Sequence, residues 1–180
     1  MMRRRTVSSI SSERVSRLTA CSLQGRAANP PGPRLPPPDA QRPGRGRRIV
    51  SHFTAVADAS PIPVILYSVT SFTGVNLSPE AVERLAAHPN VVGIKESGSD
   101  IGQIAEYVAR TPDEFSVLAG SATTLVHALA AGCDGAILAV AALVPDMCAA
   151  MRALVRDGRL VEARALQRRL MPLARSVGGA

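Results

Sequence analysis

The chain has 180 residues, 46% of them hydrophobic but only 3% aromatic and none Trp, enough for one domain whose core is filled by Ala, Val and Leu. No apolar run approaches the roughly 18 residues that cross a bilayer, and three cysteines without metal-type spacing (Cys21, Cys133, Cys148) read as no disulfide framework and favour a reducing compartment. The net charge of +7 divides unevenly: residues 1–48 hold eleven Arg against Glu13 and Asp39, a balance of +9, and residues 49–180 hold ten bases against twelve acids, a balance of −2, which speaks against a folded nucleic-acid binder.

Residues 1–48 form an Arg-, Pro- and Ser-rich arm with the runs Asn29–Pro33 and Pro36–Pro38. Without periodic apolar residues it has nothing to bury, and the expectation is disorder. Three accounts of the arm stand side by side: a targeting peptide, which implies a mitochondrial location; a nucleic-acid or partner tail; and an unselected extension from a displaced start site. Otherwise a cytoplasmic location is expected.

From residue 49 to 180 short apolar runs alternate with amphipathic stretches. His52–Asp58 ends a helix. Val64–Tyr67, Val91–Lys95, Phe115–Gly120 and Ala136–Val140 read as parallel strands covered on both faces. Ser78-Pro79-Glu80 supplies a helix start before Ala81–Ala87; Asp100 caps Ile101–Arg110, and Ser121 caps Ala122–Ala131 up to Gly132. Pro145 opens a helix that Gly158 closes, and Leu160–Leu170 forms a last one before Pro172. Four βα units and a terminal helix imply right-handed crossovers and a parallel sheet, either a small open one or half of a closed barrel.

Lys95 is the only lysine among 21 basic residues. An ammonium loses its proton when desolvated and a guanidinium does not, so a lone lysine in an Arg-rich chain marks a place for amine chemistry. It ends a strand, where catalysts of parallel α/β folds gather. The plainer reading is a rim lysine paired with Glu96. Tyr67 ends the preceding strand and is either a proton relay or a packed ring whose hydroxyl finds a carbonyl. Ser68–Gly74 is a small-residue loop able to offer hydroxyls and amides, and Gly120-Ser121 opens a helix whose N-terminus suits an anion. His52, His88 and His127 are scattered, so no metal is expected, and no cofactor.

Pro63–Val69, Thr73-Gly74, Val92–Asp100 and Leu118–Ser121 together resemble the dihydrodipicolinate synthase/N-acetylneuraminate lyase family, in order from about Ile49 to Gly179. The resemblance implies the C-terminal half of a (β/α)8 TIM barrel over residues 49–180, and a class I aldolase that joins or cleaves pyruvate-type keto acids through a lysine imine. It makes Lys95 the imine lysine and Tyr67 the relay, and puts Ser97, Gly120 and Ile137 in the substrate pocket. Where family members read Asn-x-Pro after the tyrosine, this chain has Ser68-Val69-Thr70, and where lysine-biosynthetic members bind a carboxylate with Arg it has Phe72. Tyr67-Ser68-Val69 with Lys95–Gly98 looks closer to 4-hydroxy-2-oxoglutarate aldolase, which implies a pyruvate or 4-hydroxy-2-oxo acid substrate. The first four βα units have no counterpart in residues 1–48, so the expectation is a truncated enzyme or a non-catalytic remnant that pairs with itself or with a full-length relative. The expected partners are a small keto acid and a second copy, with neither nucleic acid nor membrane.

Overall fold

Short apolar runs too brief for helices pair side by side as one parallel sheet in the order β1-β2-β3-β4. The strands are β1 (Val64–Ser68), β2 (Val91–Glu96), β3 (Ser116–Ala119) and β4 (Gly135–Ala136). The computed structural model describes residues 45–178. The arm expected over residues 1–48 lies outside that range except for its last four residues, which open helix α1 (Arg45–Ala59).

Each crossover is helical, through α2 (Thr70–Thr73) and α3 (Pro79–Ala86) after β1, α4 (Ile101–Arg110) after β2, and α5 (Leu125–Ala130) after β3. Helices α6 (Pro145–Arg156) and α7 (Leu160–Gly178) follow β4. Four successive βα units in unbroken strand order are half of a (β/α)8 barrel, as expected.

The boundary chemistry read from the sequence is largely present. Ser78 Oγ accepts from the Ala81 amide at 3.3 Å with Pro79 at the first helical position, and Asp100 Oδ1 accepts from Gln103 N at 3.0 Å. Pro145 opens α6, and Gly158, at φ 75°, lies just beyond it. Asn90 ties the approach to β1 in place, its side-chain amide lying 2.9 Å from Ala57 O, 3.0 Å from Ser60 O and 3.2 Å from Ile62 O.

Three expectations are corrected. The strand predicted over Ala136–Val140 pairs only at Gly135–Ala136, and Ala139–Ala142 turn into a 3₁₀ segment. Ser121 caps nothing: its hydroxyl meets that of Thr123 at 2.9 Å, and a 3₁₀ turn over Ala122–Thr124 precedes α5. Gln167, reaching over from α7, accepts from Val126 N at 3.1 Å and donates to Ala122 O at 2.9 Å. The last helix does not stop before Pro172 but runs through it to Gly178. Proline there leaves the Arg168 carbonyl without its helical partner, which is tolerable because Arg168 faces solvent, and buried Leu170 and Ala174 hold both sides of the proline against the core.

Alternation along the strands gives the sheet two unlike faces. Leu66 and Ile94 (both 0% exposed) and Val117 (1%) pack beneath the helices against Val82, Ile104 and Leu125. Ile65, Tyr67, Lys95 and Leu118 point the other way and are half-buried or exposed.

Candidate active site

The register of β1 on β2 pairs Tyr67 with Lys95, so both side chains leave the same face of adjacent strands near their carboxyl ends. Lys95 Nζ stands 4.2 Å from the centroid of the Tyr67 ring, a cation–π distance. The Ser97 hydroxyl lies 3.4 Å from the Tyr67 hydroxyl. That contact, set against burial, holds the phenol below its ordinary pKa; the Lys95 ammonium lowers it further, and the Glu96 charge opposes. The result is an amine beside an acidified phenol, a pair suited to moving a proton at an atom the amine has attacked.

Gly120 belongs to the same cluster. Its amide donates to Glu96 O at 2.6 Å, and a Cβ built on it would stand 2.0 Å from Ser97 Oγ, so any larger residue displaces the serine. Ile137 follows β4 at the same carboxyl edge, two strands from Lys95, with its amide donated to Ala119 O at 2.9 Å and its residue 46% exposed. The structure therefore gathers Lys95, Tyr67, Ser97 and Gly120 at one point and leaves Ile137 farther along the rim.

The pairing of Lys95 with Glu96, one of the readings from sequence, is corrected. Consecutive strand residues face opposite sides, and Glu96 is turned beneath the helices, 3% exposed. The loop after Tyr67 also differs from expectation. It folds into the single turn α2, where Thr73 Oγ1 donates to a backbone carbonyl (3.1 Å to Val69 O) and accepts from Val75 N, leaving that hydroxyl committed to the backbone. Phe72 at its tip is 87% exposed. The helix after Gly120-Ser121 has only six residues and takes its capping from Gln167, which weakens its reading as an anion site.

Sequence reasoning missed the buried polar group behind the lysine. Glu96 Oε1 accepts from Gly98 N at 2.6 Å, and Oε2 lies 3.3 Å from Gln103 Nε2 and 3.4 Å from the Tyr107 hydroxyl. Tyr107, fully buried, donates to the Leu77 carbonyl. Burial first, and the Glu96 charge second, push its phenol well up, so it stays a protonated donor. The only sequence signal was parity: a residue beside a face-exposed lysine in a strand must point inward.

Among the described residues no three His, Cys, Asp or Glu side chains gather as a metal site, and no helix is long and apolar enough to cross a membrane.

Residues 43–178 match the sequence model of the dihydrodipicolinate synthetase family. The chain is similar to the 4-hydroxy-tetrahydrodipicolinate synthase of Exiguobacterium sp., at 39% identity over 125 residues that cover 69% of this chain and 43% of that protein. It is also similar to the enzyme of the same name from Hyphomonas neptunium, at 42% identity over 72% of this chain and 45% of that protein. Among solved structures, dihydrodipicolinate synthase from Aquifex aeolicus superposes with a TM-score of 0.69 at 30% identity, covering 72% of this chain and 45% of that one. The Acinetobacter baumannii enzyme complexed with pyruvate gives a TM-score of 0.67 at 29% identity, covering 72% and 44%. The chain thus spans less than half the length of the curated relatives it matches.

Proposed function

The chain belongs to the dihydrodipicolinate synthetase family, and on that premise we propose that it carries the imine-forming half of a class I aldolase acting on pyruvate or a 4-hydroxy-2-oxo acid. The Lys95 amine adds to the ketone carbon of the 2-oxo acid. The proton that the attacking nitrogen sheds goes to the new alkoxide, giving a carbinolamine; Tyr67 protonates its hydroxyl, water leaves, and a protonated imine joins the lysine to the substrate beside the Tyr67 phenolate. The imine then draws electrons from the bond made or broken at the neighbouring carbon.

The observation that carries this reading is the placing of Nζ 4.2 Å from the ring of a phenol whose acidity Ser97 raises. The pyruvate of the Acinetobacter baumannii complex supports the same substrate class here. Ser97, Gly120 and Ile137 are proposed to line the substrate's path along the rim. Phe72, where the family resemblance puts a carboxylate-binding Arg in lysine-biosynthetic members, offers no charge to a second carboxylate, which argues against an amino-acid semialdehyde; the likeness of Tyr67-Ser68-Val69 and Lys95–Gly98 is what favours a 4-hydroxy-2-oxo acid.

Borohydride reduction with pyruvate, read by intact mass, tests it. The wild-type chain should gain one reduced pyruvyl group and Lys95→Arg none. A folded wild-type sample that gains nothing overturns the proposal.

A second reading is favoured by exposure: Tyr67 (48%) and Ile137 (46%) stand open on the sheet face away from the helices. On it the chain is a non-catalytic remnant that associates with itself or with a full-length relative across this face. Size-exclusion of the chain alone and mixed with an intact relative, both without imine capture, would mark that outcome.

A further inference from the structure

Glu96 is, among the described residues, the only charged side chain buried to 3% exposure. A carboxylate is kept out of water only where hydrogen bonds hold it, and these bonds span three segments. They run from the end of β2 to the Gly98 amide and to Gln103 on α4, while the Tyr107 hydroxyl, whose proton goes to the segment before α3, lies 3.4 Å from the carboxylate. Asn76 and Gln103 brace the network through paired side-chain amides at 2.6 and 2.9 Å.

What this network fixes is the turn Ser97-Gly98. A Cβ on Gly98 would stand 2.7 Å from Glu96 Oε1, so a larger residue there moves the carboxylate end off the Gly98 amide. On its other flank Ser97 donates its amide to Ser68 O at 2.9 Å and presses against Gly120. Ser97 is pinned from both sides, with its hydroxyl 3.4 Å from that of Tyr67.

We propose that Glu96 is a positioning residue: by clamping the Gly98 amide from the helix side of the sheet, it aims the Ser97 hydroxyl at the phenol of Tyr67 on the opposite face. The inference rests on the aldolase reading only for its consequence in turnover; the geometry can be tested without substrate. The groups bearing on the phenol are Ser97, the Lys95 ammonium and, through the sheet, the Glu96 charge, the first two favouring ionisation and the last opposing it. Glu96 therefore acts in two senses, and the clamp through Ser97 outweighs the charge.

The chain has two tyrosines. Burial drives Tyr107 up and its site drives Tyr67 down, so the first tyrosinate to appear in a near-ultraviolet titration of the full chain belongs to Tyr67; Tyr67→Phe confirms it by removing that transition. Ser97→Ala should move the transition to higher pH. Gly98→Ala should move it the same way, and adding Gly98→Ala to Ser97→Ala should move it no further. Glu96→Ala should also raise it, by less than Ser97→Ala because the lost charge pulls the other way. Glu96→Gln keeps an oxygen for the Gly98 amide without the charge, and its transition should stay at or below that of wild type. Gly98→Ala, in a partly exposed turn, keeps the test readable should Glu96→Ala fail to fold. The proposal is overturned if Ser97→Ala leaves the transition in place, if Gly98→Ala leaves it in place while Ser97→Ala shifts it, or if Glu96→Gln raises it as Glu96→Ala does. Absence of a pyruvyl adduct in a chain that shows these shifts breaks the aldolase reading and leaves this one standing.

Discussion

Leu66 and Tyr67 are neighbours in β1, yet one is fully buried and the other 48% exposed. The same split recurs in β2, where Ile94 (0% exposed) and Glu96 (3%) lie beneath the helices and Lys95 between them does not. A period of two sorts each strand into a row that packs and a row that is free to react. Stability and chemistry are thereby assigned to alternate residues, and substitutions on the two faces should fail in different ways.

The sharpest separation is expected at Lys95. Lys95→Arg should abolish the proposed imine capture, while the unfolding free energy in urea stays within about 0.5 kcal/mol of wild type; a large loss of stability would show that the proposed reactive row also packs. On the helix face, Leu66→Ala should cost about 2–5 kcal/mol in denaturant unfolding, with adduct formation per folded molecule unchanged.

A smaller effect comes with alkali. Cys133 is buried, and desolvation pushes its thiol up to about 12, with the charges of Asp134 and Glu96 adding to it. An unfolded chain ionises this thiol near 9, so the unfolded state gains from deprotonation before the folded state can. The stability tied to this thiol is fully present below pH 9 and is lost between 9 and 12, at about 1.4 kcal/mol per pH unit. Cys133→Ala should flatten that part of the curve relative to wild type, and parallel slopes for the two proteins would refute the account. The smallest change is expected at Ile137. Truncation to Ala should alter stability by less than about 1 kcal/mol, and if the residue lines the substrate's path KM rises without a matching fall in kcat.

Much of the site was legible because it follows from parity and uniqueness. Tyr67 and Lys95 each stand one residue before the end of a short strand, and parallel pairing of adjacent strands brings such residues together without further information. The helix starts at Ser78-Pro79 and Asp100 were legible for a similar reason, since capping is decided within four residues. Features set by distant partners were not. Glu96 accepts from a glutamine seven positions on, and the Val126 amide is met by a glutamine forty-one positions on, and no local pattern announces either. The run Ala136–Val140 has the composition of a strand, yet β3 offers β4 a pairing partner only at Leu118 and Ala119, so the chain turns away after two residues. Pro172 would end a solvated helix; with buried Leu170 and Ala174 on either side, packing overrides it.

The solitary lysine has a practical corollary. A protease that cuts only after lysine has one target bond in this chain, Lys95–Glu96, inside a strand hydrogen-bonded on both sides. Scission into fragments 1–95 and 96–180 must wait for β2 to leave its neighbours, so under rapid reclosing the digestion rate gauges how often the sheet opens, with no engineered label. A keto acid that captures the same nitrogen would mask that bond, and protection from digestion would follow occupancy.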